Sequence, residues 1–336
     1  MSLRHEIICN AEAVAALVPE WRDLWRHTKA TPFQSPDWLT PWWDVFAPGE
    51  LRIVAVRDGG TLVGLAPLYR EQGRYGSRLL PIGISLSDYV DVLFGAECTD
   101  AASQIAAGIR DMKDIDEVEL GELRPQSQAM DIPVPSGWQR MATAGSVCPV
   151  LAPPERVEAL RTAIPPSRLR HLRTARHRAG RRGEVAIIEG DVDNAEALLS
   201  DLVRLHTARW SGQGEGGVFA DPRVAHFHAA ALPHLMKEGL VRLYGLSINN
   251  DMAGVYYGFV HRQNAYAYLC GYDPDFAFES PGAVLLGHAI EQAAREGATE
   301  FHFLRGQEAY KYEWGAKDRI NTRLVFAREQ RRRAHG

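Results

Sequence analysis

Residues 51–71 read LRIVAVRDGGTLVGLAPLYRE, and residues 241–260 read VRLYGLSINNDMAGVYYGFV. Each is a run rich in β-branched and aromatic residues, a short polar turn and a second such run, so the chain carries two predicted β-hairpins, the first with a strong Asp-Gly-Gly turn signal. Laid over one another without a gap, Arg52 falls on Arg242 and Gly64 on Gly254, both pairs 190 positions apart. Similarity at that distance predicts a duplicated domain rather than a short-period solenoid.

The flanking segments repeat the plan. Val14, Leu17, Trp21, Leu24 and Trp25 recur at helical spacing within residues 12–27. A second helix is expected after Pro36, capped by Ser35 and buried through Trp38, Leu39, Trp42 and Trp43. Strands are expected at residues 78–84, 89–94 and 117–120, with a helix at 99–112; in the second half, helices at 194–210 and 222–237 precede the hairpin. Pro149, Pro153 and Pro154 interrupt regular pairing and place the join there, which gives domains 1–151 and 152–336. The fold class expected is mixed α/β.

Bulk properties narrow the function. A length of 336 residues with 46% hydrophobic and 24% charged content fits two globular domains. The net charge of -4 gives no global basic field, so no DNA partner is expected. Cys9, Cys98, Cys148 and Cys270 form neither a CxxC pair nor a ligand spacing, and no metal or disulfide framework is expected. No apolar run approaches a membrane span and the first ten residues lack a signal-peptide core, which predicts no membrane insertion and a cytoplasmic address.

The chemistry concentrates after the second hairpin. AYAYLCGYDP, residues 265–274, reads as a strand, and FESPGAVLLGHAIEQAAREG, residues 278–297, opens a helix. Ser280 suits the cap, Pro281 the first turn and Gly282 close backbone approach, so the turn Ser280, Pro281, Gly282 and Ala283 can hold a phosphate or pyrophosphate through the free backbone N–H groups there and the helix dipole. A well-capped helix packed through Leu286, Ile290 and Ala293 would read the same way. FLRGQEAYKYEWGA, residues 303–316, crowds Arg305, Glu308, Tyr310, Lys311, Tyr312 and Trp314 behind a strand at 299–303; an Arg305–Glu308 ion-pair network is the alternative to a site. SDYVDVL, residues 87–93, offers Asp88, Tyr89 and Asp91 at a strand end, where alternation sets Asp88 and Val90 opposite Tyr89 and Asp91. Turn capping explains its aspartates equally well. In LHTARW, His206 and Trp210 share a helical face, and a lone histidine there reads first as packed. RLRHLRTARHRAGRRG, residues 168–183, reads as an amphipathic helix docked through Leu169, Leu172 and Ala175 with its arginines in solvent. Its functional alternative is an anion site for coenzyme A phosphate, an anionic glycan precursor or tRNA; no aromatics are interleaved for single-strand stacking.

Together, FQSPDWLTPWW (residues 33–43), SDYVDVL, SPGAVLL (280–286) and FLRGQEAYKYEWGA resemble the CelD-type acetyltransferase-like family, which is associated with cellulose and other exopolysaccharide biosynthesis and related to the Fem-type aminoacyl transferases. The similarity runs from Phe33 to Arg328. The strand, turn and helix around Ser280 look like the acyl-coenzyme A element of GNAT enzymes, although that loop normally has Gln or Arg followed by two glycines. The resemblance implies a tandem of two GNAT-like domains with a shared cleft. It implies acyl-coenzyme A (acetyl-coenzyme A) as co-substrate at Ser280–Ala283, and transfer to an amine or hydroxyl of a small-molecule or saccharide acceptor. The first half, without a comparable cradle after Asp91, would shape the acceptor side. Fem-type relatives use aminoacyl-tRNA, which makes tRNA-dependent transfer one alternative; a silent partner in a polysaccharide assembly complex is the other. Direct transfer needs a base, a stabilised carbonyl oxygen and a proton for the leaving thiolate. Glu308 is the candidate base, Lys311 or Arg305 the charge stabiliser, and Tyr310 the acid, with Tyr312 in reserve because Gly315 lies one residue beyond the usual pattern. Asp88, Tyr89, Asp91, His206, Trp210 and Arg305 are the expected substrate contacts.

Overall fold

The computed structural model describes residues 3–73, 76–95, 98, 100–211 and 217–329, with only the backbone of Trp210 and Ser211. It divides into two compact units, one formed by the described residues up to Ser146 and from Ile320 onward, the other by Val147–Arg319. The divisions fall inside two long strands, Trp138–Leu151 and Lys317–Arg328. Neither strand was expected. The chain after Ile320 thus returns to the first unit instead of completing the second, because Leu324 and Phe326 are fully buried in the first unit's core beside Val118, Leu120 and Trp138.

In the first unit, Leu3–Ile8, Ile53–Asp58, Thr61–Ala66 and Leu93–Phe94 form an antiparallel four-stranded sheet in that order. A second sheet orders Lys317–Arg328, Glu117–Leu123, Gly76–Pro81, Leu68–Gly73 and Glu50–Leu51. The helix Asp100–Asp111 covers the core through Ala101, Ile105 and Ile109. The helices Ala11–His27 and Pro36–Phe46 bring the tryptophans of this half into the interior. Each of three indoles has its N–H satisfied: Trp21 donates to the Gln34 carbonyl at 3.1 Å, Trp25 to Thr31 at 2.8 Å and Trp38 to the Ser87 hydroxyl at 2.9 Å. Buried indoles otherwise lose a hydrogen bond.

The second unit orders Val185–Glu189, Val241–Ile248, Asp251–His261, Asn264–Tyr272 and Glu300–His302. The first four are antiparallel neighbours and the last pairs in parallel. On one face lie the helices Ala195–Ser211 and Pro222–Lys237. The approach is close enough to require glycine: a Cβ on Gly271 would stand 2.8 Å from the His206 backbone nitrogen and 3.0 Å from the Leu202 oxygen. The other face carries Pro166–Arg182 and Pro281–Arg295, packed through Leu172, Ala175, Ala179, Leu285 and Ile290.

The two hairpins match residue by residue. Val56 faces Gly64 and Asp58 faces Thr61, while Leu246 faces Gly254 and Ile248 faces Asp251. The irregularity in each ladder falls at the same step, Val56/Arg57 and Leu246/Ser247. Bulges re-aim a strand and are particular features of a fold, so sharing one in register supports duplication beyond mere hairpin likeness. Each hairpin is also flanked by an outer strand, Leu3–Ile8 or Val185–Glu189, which the sequence reading omitted. These edge strands are short and half exposed, so they lack a clean apolar alternation.

The expected strand at 89–94 shrinks to Leu93–Phe94, and the two-faced arrangement of Asp88 to Asp91 is not formed: Asp88, Tyr89, Val90 and Asp91 are all buried. The cause is local competition for backbone donors. The Asp91 carboxylate accepts from Val92 N–H at 2.9 Å, Ala129 N–H at 2.9 Å, Gln128 N–H at 3.2 Å and the Ser127 hydroxyl at 2.7 Å. It caps the short 3-10 helix Gln128–Asp131. Among the described residues no helix is long and apolar enough to cross a membrane.

His206 and His228 sit among Phe219, Phe227, Tyr257 and Tyr268. Burial, helped for His206 by Arg209, lowers their pKa values from 6.5 to about 4 and about 3. The fold therefore favours neutral imidazole, and between these values and 6.5 the unfolded chain binds more protons. Stability present above pH 6.5 should fall as pH drops, by roughly 2 kcal/mol per histidine on reaching pH 5. Urea unfolding at pH 7 and pH 5 measures this, and His206→Phe should flatten the dependence; an unchanged slope would exclude the assignment.

Candidate functional site

The parallel pairing of Asn264–Tyr272 with Glu300–His302 stops early. Asn264, Ala265 and Tyr266 face Glu300, Phe301 and His302, after which the first strand runs on without that neighbour. Its opposite edge remains paired to Asp251–His261 as far as Tyr272, with an irregularity at Tyr257/Gly258 that sets Ala267 and Leu269 against consecutive residues. The backbone from Ala267 to Tyr272 thus presents one edge to an opening between splayed strands, and an open strand edge offers N–H and C=O groups to a ligand.

Lys311 holds the strands apart. Directly after Glu300–His302 the chain turns through Leu304 at φ 59° and Gly306 at φ 109°. The buried Lys311 ammonium donates to the carbonyls of Leu304 at 3.2 Å, Arg305 at 2.6 Å and Gly306 at 3.2 Å, and pairs with Glu308 at 2.9 Å. Glycine is favoured at 306 because φ 109° is a conformation that L side chains rarely adopt. The turn delivers the short helix Ala309–Glu313, and with it Tyr310, to the opening.

The result is a cavity of ≈330 Å³, within the size range of small-molecule sites. Ser280, Pro281, Gly282 and Ala283 form one wall and Tyr310 another, so five of the expected site residues meet in one place. Glu308, Lys311, Arg305 and His206 are not in the wall. Lys311 has its hydrogens engaged by the turn, and His206 packs edge-on to Phe219 at 5.1 Å. The Trp210 side chain lies outside the described residues. Asp88, Tyr89 and Asp91 belong to the first unit, where the Tyr89 carbonyl accepts from Gln34 at 2.7 Å.

The expected side-chain cap at Ser280 is absent. Ser280 adopts φ 53°, ψ 57° and its hydroxyl makes no cap bond, because the residue closes the preceding 3-10 turn Pro274–Glu279 with its own N–H on the Ala277 carbonyl at 3.2 Å. Its carbonyl accepts from Ala283 at 2.9 Å. Gly282, in the first helical turn, has no carbonyl four residues back to bond. A Cβ there would meet only the Tyr272 ring, at 3.4 Å.

Two cations line the cavity: Arg168, which the sequence reading placed on a solvated helix face, and Arg209, to which it gave no role. Arg168 lies over the Trp314 ring at 4.4 Å and pairs with Glu313 at 2.8 Å, and Arg209 lies over Tyr272 at 4.7 Å. With the helix N-terminus they make the pocket electropositive. Arg209 stands three residues after His206, the spacing that could have revealed it. Tyr256 and Cys270, opposed across the strand pair, complete the interior. Burial pushes the Cys270 thiol up to about 12, and desolvation with the Glu308 carboxylate keeps the Tyr310 phenol protonated well above the usual tyrosine range.

Residues 166–312 match the family model described as an acetyltransferase (GNAT) domain. Those residues, rather than the whole chain, carry the likeness to a GNAT-type domain, which supports an acyltransferase. No curated protein sequence matches the chain. Among solved structures it is similar to FemX, at 10% identity over 91% of this chain and 95% of that one, with a TM-score of 0.65. A conserved protein of unknown function from Bacteroides thetaiotaomicron has 10% identity, covering 96% and 99%, with a TM-score of 0.60. The C-terminal domain of a putative lysylphosphatidylglycerol synthetase from Agrobacterium fabrum has 11% identity, covering 95% and 93%, with a TM-score of 0.54. At such identities the likeness is one of fold.

Replacing Lys311 with Met should leave the carbonyls of the turn without a donor. A loss of roughly 3 kcal/mol in unfolding free energy is expected, as for other buried polar partners removed singly. Chemical denaturation measures it, and wild-type stability would remove Lys311 from its bracing role.

Proposed function

We propose that the protein transfers an acyl group from acyl-coenzyme A to an amine or hydroxyl. The observation that carries this reading is the electropositive cavity between splayed strands, walled by a helix N-terminus on one side and Tyr310 on the other. The Gly282 N–H at the helix N-terminus, with Arg168 and Arg209, would hold the phosphates. The open edge of Ala267–Tyr272 would bind the amide-bearing arm and offer N–H groups to the carbonyl oxygen. Tyr310 would give its proton to sulfur as the C–S bond breaks. Glu308, exposed and two residues away, would take the proton from the acceptor as the new C–N or C–O bond forms. Lys311 acts on this chemistry through the turn. The CelD-type likeness makes amino sugars and polysaccharide precursors the first acceptors to test.

Gly282→Val should crowd the turn and weaken acetyl-coenzyme A by calorimetry while the protein stays folded. Tyr310→Phe should keep donor affinity and lower single-turnover thiol release by ~10²-fold with the best acceptor of an amine and amino-sugar panel. Wild-type release in Tyr310→Phe would sink the acid assignment; unchanged affinity in Gly282→Val would remove the turn from the donor site.

A second donor, aminoacyl-tRNA, is favoured by one observation. On the helix Pro166–Arg182, Arg176 is held by Glu291 at 2.8 Å, but Arg170, Arg173 and Arg181 are exposed with no ion pair among the described residues. They follow one face, Arg170 and Arg173 about 4.5 Å apart along the axis and Arg181 about 12 Å further, a basic stripe suited to a phosphate backbone. Under this reading Arg170→Gln with Arg173→Gln should weaken retention of bulk tRNA between 50 and 200 mM salt and flatten the logarithmic salt slope by ~1 per lost phosphate contact. Identical gel-shift curves for both proteins would leave the arginines as a solvated face.

A further inference from the structure

One side chain closes the inner end of the cavity. Tyr256 stands on Asp251–His261 opposite both Tyr244 and Cys270, is buried, and stacks on Tyr244 with ring centroids 5.8 Å apart. Its hydroxyl approaches the Tyr266 carbonyl at 3.5 Å, and Gly258 makes the room: a Cβ there would lie 2.3 Å from that hydroxyl. Behind the ring is a second, smaller void bordered by Ala265, Ala289 and Ala293 and closed by the Arg242–Glu296 pair at 2.8 Å. Tyr256 is the ring common to both spaces. Tyr244, Phe259 and Phe301 line that void as well, and shortening the Tyr256 side chain would enlarge the cavity toward it. Tyr256 and Tyr310 line the same cavity, the one in which Tyr310 would meet the thioester sulfur.

We propose that Tyr256 is the floor of the acyl subsite and restricts the donor to short acyl groups such as acetyl or propionyl. The argument rests on the acyl-coenzyme A reading and extends it to the acyl chain. A thioester whose sulfur faces Tyr310 directs its acyl carbons toward the Tyr256 ring in the same cavity, and each further methylene has to displace a buried ring stacked on Tyr244. Packed interiors resist such insertion. The Tyr256 phenol takes no part in bond making here; it sets length.

The test is calorimetric binding of acetyl-coenzyme A and hexanoyl-coenzyme A to wild type, Tyr256→Val and Tyr256→Phe, with folding checked by circular dichroism. Wild type is expected to bind acetyl-coenzyme A at least ~10-fold more tightly than hexanoyl-coenzyme A. Tyr256→Val should reverse that ratio, whatever its own affinity for the acetyl donor, and Tyr256→Phe, which keeps the ring, should keep the wild-type ratio. Equal affinity of wild type for both donors overturns the proposal without any variant. A wild-type ratio in a folded Tyr256→Val overturns it as well, while leaving the donor reading intact. Failure of wild type to bind either donor removes the donor reading and the floor with it.

Discussion

A buried ammonium sets the geometry of the second unit. Lys311 carries a charge in an interior that would reject it unpaired, and its compensation comes from three consecutive carbonyls and the Glu308 carboxylate. Satisfying one group fixes the backbone of Leu304, Arg305 and Gly306 in a turn that no regular strand could make. The strand Glu300–His302 must end there, its neighbour is left with an open edge, and Tyr310 swings to the mouth of the gap. The cavity, the place of Tyr310 in its wall and the open strand edge all follow from where that turn is pinned.

Duplication explains why such an opening exists in one unit and what the other did with the same start. Both hairpins keep one register and one bulge, yet their continuations diverge. In the second unit a strand and the helix Pro281–Arg295 follow, which supplies an N-terminus with positive potential. In the first, Asp91 gathers the backbone N–H groups of Val92, Gln128 and Ala129 and fills the corresponding region with an internal cap. The two family-like segments of the first unit are likewise engaged with each other, Gln34 with Tyr89 and Trp38 with Ser87.

Much of this was legible in the sequence, for physical reasons that differ by element. The hairpins, the helix Pro222–Lys237 and the turn at Ser280–Ala283 could be read because periodicity and turn chemistry are local. Tyr310 came from its place in a motif. Three things escaped. The role of Lys311 depends on carbonyls whose positions are unknown until the turn exists, so a lysine beside a tyrosine reads as chemistry when it is a brace. Arg168 appeared as surface charge because a helix wheel cannot tell solvent from a cavity, and Arg209 had no role assigned for the same reason. The strands Trp138–Leu151 and Lys317–Arg328 were missed because their partners lie far away in sequence, and local pattern carries little information about distant pairing.

The excursion of the chain through Lys317–Arg328 also bears on the order in which the molecule can be made. Leu324 and Phe326 complete the core of the first unit, although almost all of that unit's residues precede Ser146. A nascent chain therefore emerges from the ribosome with its early half exposing a gap that only much later residues fill. The second unit, continuous in sequence, can close while the first still waits. Synthesis from the N-terminus would thus yield the later domain first, and the earlier one would need protection of its apolar interior until the final strand arrives.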